Sequence, residues 1–143
     1  MSAENGETFG GAGLKRCILL AEDDEINQEI VRALVSDIEG LELTVASDGR
    51  EALEAAMLRK FDLLLVDRKM PFIPGDRLIR HLRASPNPNS STFAILFSAS
   101  TEGELKDLIG SNPADEVMTK PIKPRAFQER LRAILNVPQD QAV

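Results

Sequence analysis

Acid follows an apolar run twice in this chain. Ile18-Leu19-Leu20-Ala21 leads into Glu22-Asp23-Asp24, and Leu63-Leu64-Leu65-Val66 leads into Asp67-Arg68-Lys69-Met70-Pro71. A carboxylate at the carboxyl end of a buried parallel strand stands in the crevice where open α/β sheets bind ligands. Two strands that bring acid to one edge could hold a hard cation there and support phosphoryl chemistry. Ser98-Ala99-Ser100 and Thr119-Lys120-Pro121 close two further β-leaning runs and add hydroxyls and an ammonium. Massed carboxylates repel, so at least one titrates high unless a cation neutralises them. Magnesium is the natural partner: it takes oxygen ligands, keeps several waters and is often held by one or two carboxylates plus a phosphate.

The elements that must position these groups alternate along the chain. Apolar or β-leaning runs at 17–21, 41–46, 62–66, 94–97 and 116–119 read as short strands. Ile26, Ile30, Leu34 and Ile38 recur every fourth residue, with Val31 and Val35 widening the stripe, and predict an amphipathic first helix. Asp48 and Glu51 form a capping-box pattern for a second helix through Arg59, with Leu53, Ala56 and Met57 inward. Leu78, Ile79 and Leu82 mark a third. Thr101 and Glu104 make another capping box for a short fourth helix ending at Gly110. Pro124 suits the first turn of a fifth, with Phe127, Leu131, Ile134 and Leu135 on its buried side.

Five strand–helix units in succession predict an α/β fold, a doubly wound (βα)5 three-layer sandwich with a parallel sheet and right-handed crossovers. The unbroken apolar character of 63–66 fits a central strand buried on both faces. All five loops after the strands then gather at one edge. They carry Glu22, Asp23 and Asp24, then Asp67 and Lys69, then Ser98, and finally Lys120.

Bulk properties set the frame. A chain of 143 residues, 43% hydrophobic and 28% charged, suits one ordinary globular domain. A net charge of −6 argues against a bare electrostatic grip on nucleic acid or anionic membrane. No apolar run approaches the roughly 18 residues of a membrane span, so neither direct nucleic-acid binding nor membrane insertion is expected. The one cysteine, Cys17, rules out an internal disulfide and suits a reducing cytoplasm, and its place before an apolar run favours a packing role. Residues 1–14 carry acids and glycines without an apolar core, so they read as a flexible lead rather than a signal peptide. Residues 15–137 form the expected domain, and 138–143 a flexible polar tail.

Glu22-Asp23, Val66-Asp67-Arg68-Lys69-Met70-Pro71, Gly75, Ser98-Ala99 and Lys120-Pro121 fall in this order at the ends of the first, third, fourth and fifth strands. Together they resemble the response-regulator receiver domain of two-component signalling, over about residues 15–136. The stretch Glu22-Asp23-Asp24-Glu25-Ile26-Asn27-Gln28-Glu29 is similar to receivers attached to hybrid sensor kinases. The resemblance implies a flavodoxin-like sheet of order 2-1-3-4-5. It implies that Asp67 accepts a phosphoryl group from a phosphohistidine, forming an acyl phosphate. Asp23 and Asp67 would ligate Mg²⁺ directly, Glu22 through a water and Lys69 through its backbone carbonyl. Lys120 would pair with Asp67 and then with the phosphoryl oxygens, Ser98 would hydrogen-bond one of those oxygens, and a cis peptide would precede Pro121.

By the same resemblance the phosphodonor is a sensor histidine kinase or a histidine phosphotransfer protein. The output is a downstream protein partner or a homodimer, through the face made by the fourth helix, fifth strand and fifth helix. The chain would catalyse only its own phosphorylation and dephosphorylation. Some residues have plainer readings: Asp24 as a helix N-cap, His81 as a surface or packing residue, Met70-Pro71 as a loop former. Three departures from the family pattern stand out. Val117 replaces an aromatic residue, Arg68 brings a cation where an apolar residue is usual, and Pro74 replaces the acid before Gly75. Lys69 is placed to approach attacking water and so to set phosphoryl lifetime. The fourth helix, with Gly103 in its first turn, is the expected labile element. Two other readings are an interaction module that takes no phosphate and an aspartate-nucleophile phosphatase. The second needs an Asp-x-Asp motif, whereas Lys69 stands two residues after Asp67.

Overall fold

The computed structural model describes residues 15–99 and 112–138. In chain order they form β1 (Arg16–Ala21), α1 (Glu25–Ser36), β2 (Leu41–Ala46), α2 (Gly49–Leu58), β3 (Leu63–Asp67), α3 (Gly75–Ala84), β4 (Ala94–Ala99), β5 (Glu116–Lys120) and α4 (Pro124–Leu135). Thus α4 is the C-terminal helix expected from Pro124. The helix expected after Thr101, with Glu104, Gly103 and Gly110, lies outside the described residues.

β3 is buried at every position, as its unbroken apolar run requires. It occupies the middle of a five-stranded parallel sheet of order β2-β1-β3-β4-β5. Alternate side chains along each strand feed two separate cores. Leu19, Leu64, Val66 and Leu96 face Ala52 and Ala56 of α2 and Leu78, Ile79 and Leu82 of α3. Ile18, Leu20, Leu63, Leu65, Ile95 and Phe97 face Val31 and Val35 of α1 and Phe127, Leu131 and Leu135 of α4. The result is the doubly wound three-layer sandwich. Phe97 and Phe127 meet with ring centroids 6.1 Å apart, tying α4 to the centre of the second core.

Helix starts follow the sequence signals. The Asp48 carboxylate accepts from the Glu51 amide at 2.8 Å, and Glu51 in turn accepts from the Ser47 amide at 2.8 Å. Asp24 caps α1 by accepting from the Asn27 amide at 2.9 Å, so the N-cap reading of Asp24 holds. Pro124 stands in the first turn of α4.

The face of α1 departs from expectation. Ile26 is 71% exposed and Ile30 43%, whereas Gln28, Val31, Val35 and Ile38 are buried. Each four-residue step overshoots a helical turn by about 40°, so a strict fourfold series walks off the core face. Alternating steps of three and four stay on it. In α2, Ala52 and Ala56 turn inward while Met57 is 41% exposed, and the helix stops one residue short of Arg59. β3 is shifted by one residue from 62–66, so Asp67 is the last residue of the strand itself.

Cys17 is half-buried and packs beside the first core, and its thiol donates to Glu42 Oε1 at 3.3 Å. Burial, then Glu42, pushes that thiol above its ordinary range. His81 is exposed in the last turn of α3. No helix among the described residues is long and apolar enough to cross a membrane.

Candidate functional site

The strand order reverses direction between β1 and β3, and the acids emerge there. Ala21 is in register with Val66, so the next residues on the two strands, Glu22 and Asp67, come out side by side. Both are buried, at 2% and 7% exposure, while Asp23 is exposed. One carboxylate oxygen from each of Glu22, Asp23 and Asp67 lies within 4.8 Å of the others. From the far side of β4, Lys120 at the end of β5 sends its ammonium to 3.0 Å from Asp67 Oδ1 and 3.2 Å from Glu22 Oε1. The intervening strand ends in the small residues Ser98 and Ala99. The peptide bond between Lys120 and Pro121 is cis.

The electrostatics follow from burial. Glu22 is pushed above the ordinary carboxylate range by burial and by the Asp67 charge, against the pull of the Asp24 amide and of Lys120. Asp67 is raised by burial, with Asp23 adding to it, and Lys120 opposes both. Burial works against the Lys120 charge, but Asp67 and Glu22 outweigh it and hold the ammonium above its usual value. Among the described residues, the three clustered carboxylates share the Lys120 ammonium, which contacts Glu22 and Asp67. The donor set is all hard oxygen, lies at the ligand crevice and carries surplus negative charge, which fits Mg²⁺.

Ser98 is buried at the end of β4, one residue beyond Phe97, which is in register with Asp67. Its hydroxyl donates to the Ala99 carbonyl at 3.3 Å. Lys69 lies exposed in the loop after β3. Val117 is half-buried against the first core. The structure therefore brings Glu22, Asp23, Asp67 and Lys120 into contact range and sets Ser98 and Lys69 on the two adjoining segments.

Two glycines let helices close on the strand carrying Asp67 and on the loop that follows it. A Cβ at Gly75 would fall on the Asp67 carbonyl oxygen and come within 2.8 Å of Val66 Cγ1. The Gly75 amide donates to the Arg68 carbonyl at 2.8 Å. A Cβ at Gly49 would strike the Ile73 carbonyl. Between them Phe72, 65% exposed, adopts a φ of 72° and centres a γ-turn closed by the Ile73 amide on the Pro71 carbonyl at 2.8 Å. Arg68 lies 4.0 Å from Asp76 in the first turn of α3.

Three supports went unread in the sequence. Gln28, buried on the true inner face of α1, donates to the Glu22 backbone carbonyl at 2.7 Å and so fixes the acidic loop. The spacing 28-31-35-38 was the signal that could have found it. Gly49 had none beyond its place after a capping residue. Asn89, fully buried at the opposite edge of the sheet, has none either.

A parallel doubly wound sheet with buried acids and a lysine converging at its switch point defines the class of phosphoryl-accepting α/β signalling domains. The comparisons agree. The family model for the response regulator receiver domain matches residues 18–132. The alkaline phosphatase synthesis transcriptional regulatory protein PhoP of Bacillus subtilis is 34% identical over 125 residues, covering 85% of this chain and 49% of PhoP. The hybrid signal transduction histidine kinase I of Dictyostelium discoideum is 28% identical over 141 residues, covering 89% of this chain and 8% of the kinase. The chain thus spans at most about half the length of these curated relatives. Among solved structures, the receiver domain of sensor histidine kinase PA1611 from Pseudomonas aeruginosa, with a magnesium ion coordinated in its active site cleft, superposes with a TM-score of 0.75 at 25% identity, covering 85% of this chain and 98% of that one. The Francisella response regulator 1452 receiver domain gives 0.72 at 28% identity, covering 85% and 98%. The chain belongs to the response regulator receiver domain family, the phosphoacceptor modules of two-component signalling.

Proposed function

We propose that Asp67 is the phosphoacceptor of this receiver and that Glu22, Asp23, Asp67 and the Lys69 backbone carbonyl make its Mg²⁺ site. One observation carries this reading: the Asp67 carboxylate, buried at the end of the central strand, lies within 4.8 Å of the Glu22 and Asp23 oxygens and 3.0 Å from the Lys120 ammonium. An Asp67 oxygen attacks the phosphorus of a protonated phosphohistidine. The P–N bond breaks, its electron pair returns to the imidazole, and an aspartyl phosphate remains. Bound Mg²⁺ supplies positive charge to the carboxylates and the transferring phosphoryl group. Asp23 and Asp67 would hold the ion directly. Glu22, already engaged by Lys120 and the Asp24 amide, would act through a water. Lys120 leaves Glu22 for the phosphoryl oxygens as charge builds on them, and the Ser98 hydroxyl donates to one of those oxygens.

The donor is a histidine kinase or a histidine phosphotransfer protein, met in the cytoplasm. The face of this chain that meets it includes Ile26 and Ile30, exposed on α1, with a small cavity of about 90 Å³ lined by Asn27, Ile30, Lys120, Pro121 and Ile122. On the output side β5 and α4 border a cavity of about 270 Å³ lined by Phe97, Met118, Ile122 and Phe127, among others. This favours a protein partner or a second copy there.

The test is labelling with a radioactive small phosphodonor such as acetyl phosphate. Label should appear only with Mg²⁺ and vanish in Asp67→Asn. Equal labelling of that variant would overturn the assignment.

A further inference from the structure

The loop that would present the Lys69 carbonyl is braced from outside, by the first turn of α2. The Gly49 amide donates to the Pro71 carbonyl at 3.2 Å. The Arg50 guanidinium lies over the Phe72 ring, 4.2 Å from its centroid. The missing side chain of Gly49 lets α2 sit directly against Ile73. The loop itself is closed at its base by Gly75 on the Arg68 carbonyl at 2.8 Å. Phe72 has a φ of 72°, a conformation that a bulky side chain adopts only when its surroundings enforce it. Arg50 of α2 covers one face of that ring.

We infer that Arg50 is a positioning residue for the divalent-cation site: stacked on Phe72, it holds the γ-turn and with it the backbone that follows Asp67. The inference rests on the reading of Asp67 and the Lys69 carbonyl as cation ligands. It makes α2 a structural partner of the site although no α2 side chain is among the ligands. A loop freed from the stack relaxes toward ordinary backbone angles at Phe72, and the carbonyls upstream lose their fixed direction. Supporting groups of this kind typically control metal affinity by keeping the ligands in place.

The sign of the effect separates positioning from charge. Arg50 carries a positive charge, and removing a positive charge near a cation site strengthens cation binding. Weaker binding in Arg50→Ala can therefore come only from lost geometry. Mg²⁺ titration by calorimetry on the full chain should give a Kd raised about threefold to tenfold in Arg50→Ala and largely restored in Arg50→Lys, which keeps a cation over the ring. In metal-free protein the Ile73 and Gly49 amides should exchange faster in Arg50→Ala, while amides of β3 keep their protection. An unchanged or lower Kd in Arg50→Ala would overturn the inference, as would a lower melting temperature with Kd unmoved. Wild-type chain that binds no Mg²⁺ would remove the cation-site reading and this inference with it. Binding by wild type with no change in the variant removes this inference alone.

Discussion

Lys120 and Glu22, 98 positions apart in the chain, meet at 3.2 Å. The ammonium is thus shared between Glu22 and Asp67 rather than reserved for Asp67. A cation entering the acidic cluster meets a charge of its own sign already seated there. Lys120→Met should accordingly tighten Mg²⁺ binding by about tenfold. The same change leaves two buried carboxylates without their partner. In EDTA the variant should lose about 2–4 kcal/mol in urea unfolding, discounted from a fully buried pair because the lysine is partly exposed. Saturating Mg²⁺ should return part of that loss. Magnesium affinity equal to or below that of wild type would show that Lys120 does not compete for the cluster.

The same cluster sets a pH dependence with a definite sign. Glu22 and Asp67 are both raised by burial, so between their unfolded and folded values the native state binds more protons. Their contribution to stability is fully present below the unfolded carboxylate range, about pH 4, and is lost as pH rises through the folded values. Lys120, also raised, keeps its contribution until alkaline pH. Melting temperatures in EDTA should show wild type losing ground against Asp67→Asn as pH rises from about 4 to 7. Added Mg²⁺ should stabilise wild type more at the upper end, because protons no longer compete for its ligands. A wild-type advantage that grows with pH in EDTA would reverse the assigned shifts.

The strand ends were legible because acid after an apolar run is a local signal, and parallel register then did the rest. Asp67, Asp23, Glu22 and Lys120 converge for that reason. What could not be read depends on contacts between distant segments. The sharing of Lys120 needs the reach across β4. The inner face of α1 needs the rotation of the helix against the sheet, which turned Ile26 and Ile30 outward and Gln28 inward. Phe72 at positive φ lies against Arg50 of the distant α2, and nothing in Met70-Pro71-Phe72-Ile73-Pro74-Gly75 announces it beyond a turn. Asn89 sits in a Ser-, Pro- and Asn-rich stretch that reads only as loop.

That asparagine is a structural residue at the edge opposite the site, and its side chain is fully satisfied. Its carbonyl oxygen accepts from the Phe61 amide at 2.8 Å and from Thr92 Oγ1 at 2.9 Å. Its amide donates to the carbonyls of Ala56 and Arg59 at 2.6 and 2.7 Å. Asn89→Ala strands buried polar groups at the end of α2 and the start of β3. A loss of about 3 kcal/mol is expected in denaturant unfolding. Mg²⁺ affinity and labelling of Asp67 should be unchanged in protein that remains folded. Altered affinity would mean that the two edges of the sheet are coupled.

Ile26 and Ile30 set the last test, because their exposure is hard to explain by folding. Both lie on α1, which starts just after the acidic loop, and Ile30 shares a small cavity with Lys120, Pro121 and Ile122. If Asp67 is the phosphoacceptor proposed above, a protein bringing a phosphohistidine to it would cover this rim, and burying an isoleucine there would contribute to its affinity. Being exposed, Ile30 can become Asp at a cost to stability within about 0.5 kcal/mol. Phosphotransfer from a histidine phosphotransfer protein should then slow by about tenfold, equivalent to about 1.4 kcal/mol of lost contact. Labelling by acetyl phosphate, which needs no docking face, should be unaffected. If both donors slow together, Ile30 supports the site itself; if neither does, the donor approaches from elsewhere and the exposed face of α1 has another use.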